Sequence, residues 1–382
     1  MPDPSSKKDK IVLSINSLQG AGAERFVLTI GAAFYKLGFE VHVLRFNSKV
    51  EFNLTEDLTY HLIDYERYRW LPKGIMRNSI IAKKVDRYIL KTIGQPTLIL
   101  SNLERSDSIF CHSHLPNVVN VIHSTLSLYY KLDQVDNVEN LKSKLRKVYS
   151  KHPCVCVSDG VREDFIRYFG DITTTATIYN PVDKEGALEL ATAFVPEYQD
   201  YMIHVGSFKE AKRHDILLKA YAKTNQSLPL LLLGQGALEN DITQLIAELE
   251  LTDKVVLLGF CANPYPYIKQ AQFEVLTSNR EGFALVIAEA LALGVPVIST
   301  DCQSGPKELL PANNLMPTDN VDAIAIKLGE AMNNPHQFHA KFDDAMLPTA
   351  IAKKYLVFVQ SLSTSNLSRS SSYNNATDKS SV

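Results

Sequence analysis

The sequence predicts two tandem α/β domains, each built on a doubly wound parallel sheet, and three observations carry that reading. Short β-branched runs alternate with amphipathic helical stretches from Lys10 onward. The same alternation restarts after an Asn-Pro turn at Asn180-Pro181, a plausible hinge. The 382 residues exceed one ordinary core and suit two domains of typical size.

The elements follow in order. KIVLSI (10–15) is a strand, NSLQGAGAE a loop, and RFVLTIGAAFYKLG an amphipathic helix ending at Gly38. VHVLRF, TLILSN, VVNVIHS and CVCVS supply further strands, and ATIYNPVD closes the first half. In the second half, YMIHVGSF, LPLLLLGQG, VVLLGF, FEVLTS and VPVIST are strands; HDILLKAYAKT, ENDITQLIAELEL and ALVIAEALALG are helices. Open sheets of this kind bind ligands beyond the carboxyl ends of their strands, so the cleft between the domains is the expected site. Residues 361–382 are rich in Ser, Asn and Thr, lack apolar periodicity and read as a disordered tail.

Composition narrows the class. The chain is 45% hydrophobic and 21% charged with a formal net charge of −2, as in a soluble globular protein. No apolar run reaches the ~18 residues of a membrane span, and MPDPSSKKDK lacks the apolar core of a secretory signal. Five widely spaced cysteines make no disulfide framework and point to the reducing cytoplasm. The charge is uneven: residues 1–180 carry 24 Lys and Arg against 19 Asp and Glu. Much of that excess lies in RYRWLPKGIMRNSIIAKKVDRYILK (67–91) and LKSKLRKVYSK (141–151). Such stretches can rest on anionic lipid headgroups or meet a phosphorylated acceptor. Composition alone favours the plainer reading of solvated helix faces, and no recognition motif supports nucleic-acid binding.

Four groups of residues carry chemistry. Gly20, Ala21 and Gly22 open the first helix, where small residues admit a ligand to the backbone and unpaired N–H groups meet an anion. As a dinucleotide fingerprint the loop is weak, because a third glycine and an acidic residue after the second strand are missing. The alternative is a tight strand-to-helix turn. Glu281 and Glu289 bracket the seven residues GFALVIA, and Glu289 sits in an otherwise apolar helix. A carboxylate so placed needs partners; sugar hydroxyls would serve, and a salt bridge or a solvated face is the bland alternative. Lys209, Lys212 and Arg213 follow a strand end, where cations can neutralise a diphosphate, although KEAKRH alone reads as a solvated turn. His123 ends a hydrophobic strand and can hydrogen-bond a substrate hydroxyl or a developing charge. His112 and His114 read as loop residues, Cys154 and Cys156 as core. A Walker lysine loop, a nucleophile elbow and an Asp-x-Asp metal pair are all missing from the sequence.

Together these residues resemble the retaining glycosyltransferases of family 4, which have the GT-B fold of two facing Rossmann-like domains. GAGAERFVLTIGAAFYKLGFEVHVL, VSDGVREDF and IYNPVD carry the resemblance in the first half; GSFKEAKRHDILLKAY, LLGQG, SNREGFALVIAEALALGVPVIST and DCQSGPKELL carry it in the second. The resemblance implies an acceptor-side domain at 1–180, a nucleotide-sugar domain at 181–345 and a helix at 346–360 returning to the first domain. It also implies roles. Glu281 would contact donor-sugar hydroxyls, Glu289 the ribose, and Lys212 the diphosphate, helped by backbone N–H groups near Gly282, Phe283, Ala284 and Leu285 and by the Gly20–Gly22 loop. His123 would sit beside the reacting sugar. The family usually has an arginine where this chain has Ser207, so Lys209 or Arg213 would have to substitute, and Gln272 replaces a common aspartate.

The implied reaction moves a hexose or N-acetylhexosamine from a nucleotide diphosphate, by family frequency UDP, to a hydroxyl with retention and without a metal or other cofactor. The acceptor expected is a lipid-linked or otherwise growing surface glycan such as lipopolysaccharide or capsule. That places the enzyme in the cytoplasm at the inner face of the membrane, with peripheral contact to anionic lipid. Two alternatives stay open on the sequence: a nucleotide-sugar epimerase on the same fold, and a non-catalytic partner subunit, for which Ser207 is the one hint.

Overall fold

Val, Ile and Leu fill the central strand segments because parallel ladders are covered by helices on both faces. The computed structural model describes residues 8–19, 22–51, 54–68, 70–72 and 74–377, with side chains through residue 362. The first sheet contains β1 (Lys10–Ile15), β2 (Glu40–Arg45), β3 (Thr59–Leu62), β4 (Leu98–Asn102), β5 (Val118–Ile122), β6 (Cys154–Cys156) and β7 (Thr175–Thr177). Its order is β3-β2-β1-β4-β5-β6-β7, parallel throughout. The helices are α1 (Gly22–Lys36), α2 (Ile75–Tyr88), α3 (Leu103–Phe110), α4 (Leu126–Tyr129), α5 (Val138–Tyr149) and α6 (Asp159–Phe169). α3 packs against both α2 and α5. Strand order reverses between β1 and β4, which opens a crevice at their carboxyl ends.

The second sheet repeats the plan with β8 (Met202–Val205), β9 (Leu230–Leu233), β10 (Val255–Gly259), β11 (Phe273–Leu276), β12 (Val297–Thr300) and β13 (Leu315–Met316), ordered β10-β9-β8-β11-β12-β13 and again parallel. Around it run α7 (Lys184–Leu190), α8 (His214–Ala222), α9 (Glu239–Glu248), α10 (Tyr265–Gln270), α11 (Leu285–Ala292), α12 (Pro306–Leu309) and α13 (Val321–Asn333). The chain crosses between domains after β7 and again before α14 (Pro348–Thr377), which packs on α1. The two crossings touch: Val182 N–H donates to the Met346 carbonyl at 2.9 Å. Among the described residues, no helix is long and apolar enough to cross a membrane.

The two doubly wound sheets follow the sequence expectation, with three differences. β3 reads TYHL, half-exposed at a sheet edge, and β13 is two residues long, so neither shows the buried apolar run that identifies a strand. The helical backbone of α14 continues through Thr377, across most of the segment expected to be disordered.

Close polar contacts join the domains on one side of the cleft. The Ser158 hydroxyl donates to the Gly282 carbonyl at 2.6 Å. The Glu308 carboxylate accepts the first two N–H groups of α6, from Asp159 at 2.7 Å and Gly160 at 3.0 Å, so a second-domain side chain caps a first-domain helix. Gly160 is the residue that permits this approach, because a Cβ there would lie 2.5 Å from the Ser304 Cβ. Arg280 donates to the Leu128 carbonyl at 2.8 Å, and Gln303 to Asp164 at 3.2 Å. Glu308→Ala leaves two helix-terminal N–H groups without their acceptor. It is expected to cost about 1–2 kcal/mol, read as a lower urea midpoint than wild type; an unchanged midpoint would show that water replaces the cap at no cost.

Candidate functional site

The second-domain side of the cleft is built where β11 runs into α11. Ser278 and Thr300 tie the strand ends together, the Thr300 hydroxyl donating to the Ser278 carbonyl at 2.5 Å. Ser304 Oγ donates to the Glu281 carbonyl at 2.6 Å, holding the loop that carries Glu281. The Glu281 carboxylate accepts from Lys212 Nζ and from Ser278 Oγ, each at 2.6 Å. Lys212 is steadied by its own carbonyl, which accepts from Thr277 Oγ1 at 3.1 Å. The structure therefore brings Glu281 and Lys212 together as an ion pair in the cleft.

Glu289 is held differently. It lies on α11, and its Oε1 accepts from Arg25 on α1 of the other domain at 2.5 Å and from the Tyr265 hydroxyl at 3.0 Å. The Glu289 side chain is 8% exposed and that of Arg25 is 29% exposed, so the pair is mostly withdrawn from water. The adjacent carboxylate raises the Arg25 pKa still further above its ordinary value. Arg25 and Tyr265 are partners of Glu289 that sequence reasoning passed over. Arg25 stood at the end of the glycine loop, a visible position, whereas nothing in NPYPYI marked Tyr265.

Gly282, Phe283, Ala284 and Leu285 form the turn from Glu281 into α11. Ala284 adopts left-handed backbone with φ 62°, and helical hydrogen bonding starts at Leu285. The turn lies hard against the first domain: a Cβ on Gly282 would fall 1.9 Å from the His123 carbonyl oxygen. Phe283 is buried, with the Tyr179 ring 5.5 Å away.

His123 follows β5, opposite that turn. Its Nε2 lies 2.8 Å from Asn102 Oδ1. The Asn102 amide nitrogen donates to the Ser14 and Leu100 carbonyls, so the oxygen faces the imidazole and His123 donates to it. The Phe26 ring meets the imidazole edge-on at 5.0 Å. Burial pushes the His123 pKa down to about 3, so the ring stays neutral near pH 7.

Around His123 the first domain opens into a cavity of about 860 Å³ at the ends of β1, β4 and β5. Tyr65, Tyr129 and Tyr130 bring aromatic groups to it, and Arg77, Glu104 and Arg105 bring charge. Sequence reading did not assemble this cavity, because its walls come from separated segments.

The remaining residues are placed as follows. Gly20 and Ala21 lie outside the described residues; Gly22 begins α1. Lys209 is exposed, lies near enough to favour ionised Glu24, and lines a second cavity of about 690 Å³ with Arg213 and Asn279. Arg213 is taken up by Asp215, at 2.9 and 3.1 Å, and by Asp319, so the phosphate role weighed for it would require breaking those contacts. Under the site, Glu274 on β11 is fully buried, with neither oxygen hydrogen-bonded among the described residues. Burial, reinforced by the charge of Glu289, raises its pKa well above the carboxylate range.

Comparison with known proteins covers both domains. The family described as Glycosyltransferase Family 4 matches residues 20–185, and Glycosyl transferases group 1 matches 191–346. A relative in Campylobacter jejuni, named N-acetylgalactosamine-N,N'-diacetylbacillosaminyl-diphospho-undecaprenol 4-alpha-N-acetylgalactosaminyltransferase, is 29% identical over 381 residues, 91% of this chain and 99% of its own. The lipopolysaccharide 1,6-galactosyltransferase of Escherichia coli is 30% identical over 164 residues, 41% of this chain and 45% of its own. Among solved structures, an Anabaena protein in complex with UDP and glucose superposes with TM-score 0.69 at 18% identity, covering 94% of this chain and 100% of that one.

Glu24 yields a pH prediction. Burial raises its pKa from 4.5 to about 6, opposed by its own backbone N–H and by Lys209. An acid with a raised folded-state pKa makes the fold bind extra protons between those values, so its contribution to stability falls as pH rises through that window. Glu24→Gln is expected to raise Tm at pH 7.5 and leave it unchanged at pH 4.5; an equal shift at both values would point to packing instead.

Proposed function

Starting from a chain that belongs to the family 4-like glycosyltransferases of the GT-B fold, we propose that it transfers a hexose or N-acetylhexosamine from a UDP-linked donor to a hydroxyl of a lipid-linked, growing surface glycan, with retention at the anomeric carbon. The observation that carries this reading is one juxtaposition. The Lys212–Glu281 pair leads into the turn whose Gly282 rests against His123, and His123 lines a large cavity in the opposite domain. Donor chemistry on one wall and space for an acceptor on the other is the arrangement a transfer reaction needs. The acceptor class is supported by full-length similarity to a relative whose name specifies a diphospho-undecaprenol-linked sugar acceptor.

In this reading Lys212 turns from Glu281 to the departing diphosphate, and the N–H groups at the start of α11 add fixed positive potential. Glu281, released, accepts hydrogen bonds from sugar hydroxyls, while Glu289 offers the ribose an ionised carboxylate already oriented by Arg25 and Tyr265. His123, kept neutral, orients a hydroxyl or carbonyl of the sugar without adding charge. The leaving phosphate takes the acceptor proton on the same face, and the cations of the cleft carry its charge without a metal. Arg77 and Arg105 bring positive charge to the cavity proposed for the acceptor, beside the carboxyl groups of Glu66, Glu104 and Asp107.

Thermal stabilisation by a panel of nucleotides and nucleotide sugars tests the donor site, since a ligand of the folded state raises Tm. UDP or one UDP-sugar is expected to stabilise wild type and to lose most of that shift in Glu289→Ala and Lys212→Ala. A panel that leaves wild type unmoved would remove the donor reading and favour a non-catalytic subunit. Transfer to an undecaprenyl-diphosphate-linked sugar is expected to survive EDTA undiminished; loss restored by Mg²⁺ or Mn²⁺ would overturn the metal-free reaction.

A further inference from the structure

The outer edge of the first domain carries apolar side chains that a solvated surface has no use for. Trp70 is 78% exposed, Ile75 67% and Met76 60%, with Ile80 and Leu90 exposed beyond them. Their exposure is built in. The buried Arg77 guanidinium donates from Nε to the Leu71 carbonyl at 3.0 Å, and Leu71 N–H donates to the Tyr68 carbonyl at 3.0 Å. The turn before α2 is thus anchored from behind while Trp70 points outward.

Charge accompanies the apolar groups on the same helix. Ile81, Ala82 and Val85 form the buried side of α2, which leaves Met76, Ile80, Lys83, Lys84 and Arg87 on the open side. Lys91 continues that exposed surface past the end of the helix. The single carboxylate of residues 75–91, Asp86, is engaged by Ser113 Oγ at 2.6 Å and the His114 N–H at 2.9 Å. Lys144, Arg146 and Lys147 of α5 are exposed as well, and α3 packs against both of the helices that carry the basic runs. A helix face that interleaves apolar and cationic groups without a free carboxylate complements the headgroup layer of an anionic bilayer.

We infer that the tip at Trp70 and the exposed face of α2 form a membrane-docking surface for anionic lipid, which holds the mouth of the 860 Å³ cavity at the headgroup layer. Tyr65, Arg77 and Asn78, which line the cavity, belong to the same segment as the exposed tip. A lipid-linked acceptor lying in the bilayer would therefore meet the cavity without leaving the membrane; this consequence rests on the acceptor class proposed above, whereas docking itself does not.

Trp70 is the one tryptophan of the chain, so its fluorescence reports the tip alone. The full-length protein is mixed with vesicles of phosphatidylcholine, with or without equimolar phosphatidylglycerol, at low and high salt. Flotation and a blue shift of Trp70 emission are expected on the anionic vesicles, weakened by salt and absent on phosphatidylcholine alone. Lys83→Glu with Arg87→Glu is expected to weaken vesicle binding about tenfold or more, at about 1 kcal/mol for each lost cation. Met76→Ser with Ile80→Ser should reduce both flotation and the blue shift. The inference is overturned by no flotation and no shift, by equal binding to both vesicle types, or by variants that bind as wild type does. Concentration-dependent self-association in sedimentation, abolished by the Met76 and Ile80 changes, would overturn it by showing a second copy on this face. Stabilisation by UDP, measured on the same variants, establishes that they are folded and separates failure of docking from failure of the donor site.

Discussion

The backbone of Gly282 rests against the carbonyl of His123, and much of the cleft geometry depends on that contact between two domains. No side chain fits there, so the loop carrying Glu281 and the end of β5 approach more closely than two substituted residues could. Such an approach removes polar groups from water, and each needs a partner across the seam. Ser158 supplies one to the Gly282 carbonyl, and Glu308 supplies another to the start of α6. The Glu308 contact is favourable twice over: it satisfies two N–H groups and places negative charge at a positive helix end.

The same closeness decides the electrostatics. A carboxylate withdrawn from water is tolerable only beside a cation, and the cleft pairs Glu281 with Lys212 and Glu289 with Arg25. An anionic ligand at the proposed donor site would therefore enter by exchange, taking a cation that a carboxylate already holds. The net cost of that exchange is smaller than that of baring a lysine, since the released carboxylate can turn to hydroxyl donors. Glu274 shows the other response to burial: with no cation in contact, desolvation pushes its pKa well above the carboxylate range.

A division of labour follows from the placement of charge. The second domain is acidic overall, and Lys209, Lys212 and Arg213 follow the end of β8. The first domain carries exposed cations on α2 and α5, those of α2 on the face proposed above for lipid. Its cavity is lined by His123 from the end of β5 and by Tyr65 and Arg77 from the segment that carries Trp70 and α2.

Much of the fold was legible in the sequence because buried parallel strands need continuous apolar runs and their covering helices need one apolar stripe, both local patterns. Edge strands β3 and β13 escaped, being short and half-exposed, as did the helical continuation through Thr377 across a polar segment. Glu281, Lys212 and His123 were visible as polar residues at or just beyond the ends of strands, and Glu289 as a lone carboxylate within an apolar helix. Their partners were not: Arg25 lies far along the chain from Glu289, and Asn102 from His123. The sequence by itself determined two doubly wound domains and which residue types stand at their strand ends. The tertiary structure alone decided that Arg25 meets Glu289, that His123 stays uncharged, and that Trp70, Ile75 and Met76 are exposed while Tyr65 and Arg77 of the same segment line the cavity. Pairing and desolvation depend on distances across folded elements, which local spacing does not encode.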